Sequence, residues 1–316
     1  MVSSKVIKVG SRGSKLALIQ ADQVLVRLRQ LYPDREFEVV TVRTQGDINK
    51  EAPLQGMGLG IFVKEIERLL LDGELDMAVH SLKDLPTTLP EGLVLGAMLR
   101  REDPRDVLVN RWNCPLAQLP EGARIGTSSP RRRVLLNTLC PQATVLPIRG
   151  NVDTRLSKAQ GDDYDGAVLA AAGLIRLGLT EHISEYLSPQ RFVPPPGQGV
   201  LAVEIRAEDY RMQDLLRAIE HTTTRLAVTA ERAFLEKLGG GCQLPMGAYA
   251  RISGESLLMN VFLGSGSSAG TEVFAASVEG PANNPIQLAK DAHRELANHG
   301  AAELLEAQKS GDARGR

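Results

Sequence analysis

Across its first two thirds the chain alternates short apolar runs of strand character with longer runs of helical period, and this alternation restricts the fold most. Val6-Ile7-Lys8-Val9 reads as a strand, Lys15 to Leu31 as a helix and Glu38-Val39-Val40-Thr41-Val42 as a second strand. Phe62 to Leu71 has helical periodicity, with Ile66, Leu69 and Leu70 on one face, and Met77-Ala78-Val79-His80 is a short buried strand. The pattern predicts an α/β domain with a mainly parallel sheet. After a Pro-containing transition from Pro104 to Pro120 a second set follows. Its strands are Ala123–Gly126, Val145–Ile148 and Ala167–Ala170, and its helices Arg131–Leu139 and Val152–Ala159.

Val193-Pro194-Pro195-Pro196-Gly197-Gln198-Gly199 is the strongest linker signal, stiffened by proline and turned by glycine. The apolar run Val200–Ile205 behind it is placed to return the chain to the first domain. A helix over Thr223–Lys237, shorter strands such as Leu257–Leu263, and a helix over Pro285–Ala307 then describe an α+β module. The boundaries expected are 1–101 with 200–220 for the first α/β domain, 102–199 for the second and 221–316 for the C-terminal domain. At 316 residues, two or three domains are the norm.

Net charge is −1 and aromatic content 4%, which together disfavour a nucleic-acid binder. No stretch has the length of a membrane-spanning helix, and Met1–Lys8 lacks the apolar core of a signal peptide. Three widely spaced cysteines, Cys114, Cys140 and Cys242, suggest neither a disulfide framework nor a zinc site, so a cytoplasmic setting is expected.

Arginines crowd strand ends. Gly126-Thr127-Ser128-Ser129-Pro130-Arg131-Arg132-Arg133 joins a strand to a helix, with Ser128 or Ser129 as N-cap and Pro130 at the first helical position. Free N–H groups and guanidinium forks there suit an anion, where a solvated basic turn is the plainer alternative. Arg149-Gly150-Asn151 repeats the logic and Gly173-Leu174-Ile175-Arg176 supplies a third strand-end arginine. Together they describe a pocket for a ligand with several carboxylates. Ser11-Arg12-Gly13-Ser14-Lys15 mirrors this arrangement in the first domain. In His80-Ser81-Leu82-Lys83-Asp84, Lys83 offers a cation; Asp84 either caps locally or stabilises a transient cation on a substrate. His80 is read as strand packing, because no second histidine stands at ligand spacing and no metal site is expected. Cys242, in Gly239-Gly240-Gly241-Cys242-Gln243-Leu244-Pro245, is displayed on a glycine loop, as a covalent attachment point or nucleophile, or as an incidental loop cysteine.

These stretches, with Arg101-Glu102-Asp103-Pro104-Arg105-Asp106, Thr154-Arg155-Leu156, Gly197-Gln198-Gly199 and Ala230-Glu231-Arg232-Ala233, resemble the porphobilinogen deaminase (hydroxymethylbilane synthase) family in order along nearly the whole chain. The resemblance implies two periplasmic-binding-protein-like α/β domains and a smaller C-terminal α+β domain. It implies one dipyrromethane cofactor per chain, in thioether linkage to Cys242. Onto it four porphobilinogen molecules are condensed with loss of ammonia, and hydroxymethylbilane is released by hydrolysis. By the same analogy Lys83, Ser129, Arg131, Arg132 and Arg155 hold cofactor carboxylates. Arg12, Ser14, Arg149, Arg176 and Gln198 hold the incoming substrate or the growing chain, and Asp84 stabilises the azafulvenium cation left when ammonia departs. A monomeric enzyme with a small-molecule substrate is expected, with no nucleic-acid or membrane partner. One departure stands out: the family pattern has lysines in the loop before the first domain's second helix, whereas Pro53 to Phe62 contains none. On the residues alone two other classes remain. An anion-binding receptor has no use for Gly240-Gly241-Cys242, and for a phosphate-ester enzyme the chain lacks a P-loop lysine.

Overall fold

The computed structural model describes residues 6–43, 63–239, 245–267 and 270–304. The chain begins β1 (Ile7–Arg12), α1 (Lys15–Leu31), β2 (Phe37–Val42), α2 (Lys64–Leu71), β3 (Met77–Ser81) and β4 (Leu93–Met98). It continues β5 (Asp106–Asn110), β6 (Arg124–Gly126), α3 (Pro130–Leu139), β7 (Thr144–Leu146), α4 (Val152–Ala159), β8 (Gly166–Ala170), α5 (Ala171–Leu177) and β9 (Glu185–Tyr186). After the proline-rich stretch come β10 (Leu201–Arg206), α6 (Tyr210–Arg217), α7 (Thr222–Lys237), β11 (Met246–Ser253), β12 (Ser256–Ser267), β13 (Gly270–Pro281) and α8 (Pro285–Leu296). Among the described residues no helix is long and apolar enough to cross a membrane.

The chain divides into two compact units, Met1–Glu102 with Gly199–Arg225, and Asp103–Gln198 with Leu226–Arg316. The first is built on a sheet of order β2-β1-β3-β10-β4. β1 pairs in parallel with β2 and β3, while β10 runs antiparallel to both β3 and β4. The run after the linker thus does return to the first sheet, as the one reversed strand of a sheet that is otherwise mainly parallel, as expected. Alternate residues of its strands enter different cores. Met77, Val79 and Val203 pack with Val24, Leu25 and Leu28 of α1, whereas Ala78 packs with Ile66 and Leu70 of α2. Strands covered on both faces read as unbroken apolar runs, which is why periodicity locates them so well.

The second unit repeats the plan with order β7-β6-β8-β5-β9. β6 is parallel to β7 and β8, and β5 is antiparallel to β8 and β9. Here the transition expected over Pro104–Pro120 is corrected. It contains β5, an inner strand whose Val107 and Val109 face one core and whose Leu108 faces the other. A three-stranded antiparallel sheet, β11-β12-β13, completes this unit. Its core gathers Ala230 and Phe234 of α7, Met259 and Val261 of β12, and Leu288 and Ala292 of α8. The helix expected over Pro285–Ala307 is interrupted: α8 ends at Leu296 in a wide turn, and Gly300 takes a left-handed φ of 101°, while residues 305–307 lie outside the described residues. Gly199 is held tightly too, with φ +88° and no room for a Cβ beside the Glu102 carbonyl oxygen.

Candidate functional site

In the first unit the expected residues leave one edge of the sheet. Because β1 and β3 are parallel neighbours, the loops at their carboxyl ends emerge side by side, the place where open α/β sheets take ligands. Arg12 ends β1, and Ser14 is the N-cap of α1, its hydroxyl accepting from the Ala17 N–H at 3.2 Å. That cap leaves the first turn of a 17-residue helix with its positive dipole end at the edge. β3 runs into a single 3-10 turn over Leu82–Asp84. Leu82 is buried and anchors the turn, while Lys83 and Asp84 remain partly accessible. No hydrogen bond or ion pair of the Asp84 carboxylate is found among the described residues. It is an acid that the scaffold has not consumed.

His80 lies one residue before the end of β3 and is buried, in agreement with its reading as strand packing. Its Nε2 is 3.0 Å from Glu204 Oε2, close enough for an ion pair, although the geometry does not make a hydrogen bond. Glu67 of α2 is also buried, and among the described residues Oε1 of Glu67 and both carboxylate oxygens of Glu204 find no hydrogen-bond donor. Burial raises the Glu67 pKa, and the Glu204 charge adds to the rise against the opposing charges of His80 and Lys64.

In the second unit β6, β7 and β8 are parallel neighbours, and their carboxyl ends again share an edge. β6 ends at Gly126. Ser129 is the N-cap of α3, accepting from the Arg132 N–H at 3.4 Å, with Pro130 at the first helical position. Arg131 and Arg132 follow at once and are buried, 4% and 7% exposed, rather than splayed into solvent. Their partner is Asp106 at the start of β5, fully buried opposite Ala170 in the pairing with β8. Arg131 Nη2 donates to Oδ2 at 2.5 Å, and Arg132 Nε and Nη2 donate to Oδ1 at 3.1 and 2.7 Å. Burial pushes the Asp106 carboxyl up, but the two guanidinium charges and their hydrogen bonds outweigh it and hold the pKa at about 2. Sequence reasoning places Asp106 in a motif but gives it no role; the only sequence signal is an acid at the head of an apolar run.

Arg149 lies in the loop after β7 and is half-buried. Arg155 lies in α4, its Nε donating to the Gly150 carbonyl at 2.7 Å. Arg176 departs from the expected strand end, since β8 passes straight into α5 and Arg176 occupies that helix's last turn. Gln198 is wholly buried, and its Nε2 donates to the Pro104 carbonyl at 2.8 Å and to Asp106 Oδ1 at 3.1 Å. Beside it the Gly197 N–H donates to Glu231 Oε2 at 2.7 Å, while Glu231 Oε1 accepts from the Ala250 N–H at 2.8 Å, so one buried carboxylate ties the linker to α7 and β11. Cys242 and the lysine-free loop Gln55–Gly60 lie outside the described residues.

Each unit has a sheet edge with a serine-capped helix start, with Arg12 at the first and Arg131 and Arg132 at the second, groups of the kind that bind carboxylates. Comparison with known proteins makes this particular. Residues 7–214 match the family model "Porphobilinogen deaminase, dipyromethane cofactor binding domain", and residues 225–298 match "Porphobilinogen deaminase, C-terminal domain". The porphobilinogen deaminase of Syntrophus aciditrophicus is 44% identical over 301 residues, 95% of this chain and 98% of the relative. That of Alkaliphilus metalliredigens is 45% identical over 303 residues, 96% and 95% of the two chains. A YaeC-family lipoprotein structure from Enterococcus faecalis is similar over 70% of this chain and 93% of its own, at 14% identity and a TM-score of 0.41, too distant to carry an argument. The chain belongs to the porphobilinogen deaminase family, the hydroxymethylbilane synthases, which are transferases of tetrapyrrole biosynthesis with a dipyrromethane cofactor.

Proposed function

We propose that the residues at the two sheet edges divide the work of that activity between holding carboxylates and managing a cation. The observation that carries this reading is the contrast between arginines committed to fixed positions and an Asp84 carboxylate left uncommitted. A dipyrromethane fits the donor set of the second unit, because its acetate and propionate side chains need bidentate cations and helix-start N–H groups, and the edge at Ser129–Arg132 offers both. Arg131, Arg132, Arg155, Ser129 and Lys83 would hold its carboxylates, and Cys242 would carry its thioether. When bound, the cofactor supplies the pyrrole end onto which four porphobilinogen units are joined head to tail. Arg12, Ser14, Arg149 and Arg176 orient the carboxylates of the incoming porphobilinogen.

Asp84 stabilises the positive charge that develops on the incoming substrate as ammonia leaves, and holds pyrrole N–H groups in place. We assign Gln198 to the support of this machinery rather than to substrate contact, since its amide is spent on the scaffold. We read the chain as three domains, 1–101 with 200–220, 102–199 and 221–316. We read it as a cytoplasmic monomer acting on small molecules rather than on nucleic acid, the last of these supported by the balanced charge and scarce aromatics.

The intact mass of the purified protein tests the cofactor assignment: the excess equal to one dipyrromethane is expected in the wild type and lost in Cys242→Ser. An unmodified wild type that neither porphobilinogen nor preformed hydroxymethylbilane converts would remove it. For Asp84→Asn the adduct is expected to persist while kcat falls about 10²–10³-fold; near-normal turnover would sink the role given to Asp84.

A further inference from the structure

The hub of the second edge is a residue to which no ligand role attaches. The Asp106 carboxylate accepts four hydrogen bonds: from Arg131 Nη2, from Arg132 Nε and Nη2, and from Gln198 Nε2. A carboxylate has about four lone-pair sites, so none remains for a substrate or a proton in transit. Each guanidinium is also held from a second side. Arg131 Nη1 donates to the Val193 carbonyl and Arg132 Nη1 to the Val168 carbonyl, both at 2.7 Å. The face of Phe192 closes over Arg131, 5.7 Å from the ring centre. Arginine side chains in the first turn of a helix would otherwise repel both the dipole and each other. Among the described residues the cluster therefore holds two cations against one anion.

We propose that Asp106 is the positioning residue that sets Arg131 and Arg132 to receive a single ligand carboxylate, and that Gln198 orients Asp106. The proposal rests on the reading of those arginines as cofactor ligands. The logic is preorganisation: donors fixed before the ligand arrives need no reorientation to meet it. The antiparallel direction of β5 makes this possible. Its first residue lies opposite the last residue of β8, so a strand that starts at Asp106 delivers its acid to the edge where the parallel strands end. Gln198 donates to Oδ1 of Asp106, and its second bond, to the Pro104 carbonyl, fixes the amide two residues from that acid.

Asp106→Asn keeps the shape of the side chain but turns an N–H₂ toward a guanidinium. The fraction of purified chains carrying the dipyrromethane mass is expected to fall roughly tenfold or more, as for a buried charge pair that loses one partner. In chains that do carry it, KM for porphobilinogen should stay within about twofold, because Asp106 does not touch the incoming substrate. A defect confined to folding would instead lower yield and Tm and leave the loaded fraction of folded chains unchanged. Gln198→Met removes one bond to Oδ1 without removing charge, so it decides the matter if Asp106→Asn does not fold. It should show a smaller loss of loaded fraction at near wild-type Tm. Wild-type loading and turnover in folded Asp106→Asn, or in Gln198→Met if the former fails to fold, would overturn the proposal. Arg132→Lys separates the two levels. If a folded Arg132→Lys keeps full loading, the ligand reading itself fails. If it loses loading while Asp106→Asn and Gln198→Met keep it, only the positioning role falls.

Discussion

The two five-stranded sheets share one strand order, three parallel strands with an antiparallel strand in fourth place, yet they bury their acids differently. Opposite the last residue of the third strand, the second sheet has Asp106 and the first has Leu201. The second sheet's acid is at the edge, with every lone pair answered by a cation or an amide. The first sheet's acid is Glu204, three residues deeper in β10 where its pairing with β4 slips register, and neither oxygen has a hydrogen-bond donor among the described residues. One scaffold thus supports two strategies. The second unit commits its buried charge to fixing cations at the ligand edge. The first leaves that edge apolar at the strand and keeps Asp84 on the following turn. A residue meant to meet changing charge must stay unspent, and one meant to hold a ligand must be spent in advance.

The largest effect that probes this contrast is Asp106→Ala. Removing the acid strands two buried guanidiniums, and a loss of about 3–5 kcal/mol in unfolding free energy is expected in denaturant titration. A loss below about 1 kcal/mol would show that the arginines find other partners. Acid should expose the same dependence. The carboxyls of Asp106 and Asp165 are each held at about 2, Asp106 against burial by two arginines and Asp165 mainly by the hydrogen bond from Arg124. Their folded-state values lie below the ordinary 3.8, so the stability they contribute is fully present above about pH 4 and is lost as the pH falls toward 2. Melting temperature should drop steeply in that window. Asp165→Asn should flatten part of the drop without touching cofactor loading.

Much of this contrast is legible in the amino-acid sequence, and what is hidden has a common cause. The inner strands β3, β5, β8 and β10 are short apolar runs because they are covered on two faces, and Ser14 and Ser129 announce helix starts by type and position. Direction is not legible. Asp106–Asn110 has the same character as the other strands, but its neighbours are prolines and no helix follows to mark a crossover, so it reads as connection. Arg131 and Arg132 are legible as arginines at a helix start, but not as buried ones, because the acid that neutralises them is 25 residues away in the chain. Gln198 is legible as part of a motif, yet its burial depends on a carboxylate 92 residues distant. Pairings across a sheet leave no local trace.

The N-caps sharpen the likeness between the units. Ser14→Ala and Ser129→Ala each remove one side-chain acceptor from a first-turn N–H, and each should cost about 1 kcal/mol of stability. A much larger loss of cofactor loading in Ser129→Ala than in Ser14→Ala is expected, because the carboxylate contacts of the cofactor are assigned chiefly to the second edge. Equal losses would break that assignment.

The smallest effect concerns the unanswered acids of the first unit, and its sign is opposite. The Glu67 pKa is raised by burial and then by the Glu204 charge, with His80 and Lys64 opposing. The folded protein therefore keeps a proton that the unfolded chain gives up near the ordinary value of 4.5. Stability should decline as pH climbs from that value through the raised one, and then level off. Glu67→Gln removes the titration while keeping the side chain's size. Relative to the wild type it should gain melting temperature at about pH 7 to 8 and match it below about pH 4. A constant difference across that range would mean that Glu67 holds no extra proton in the folded protein.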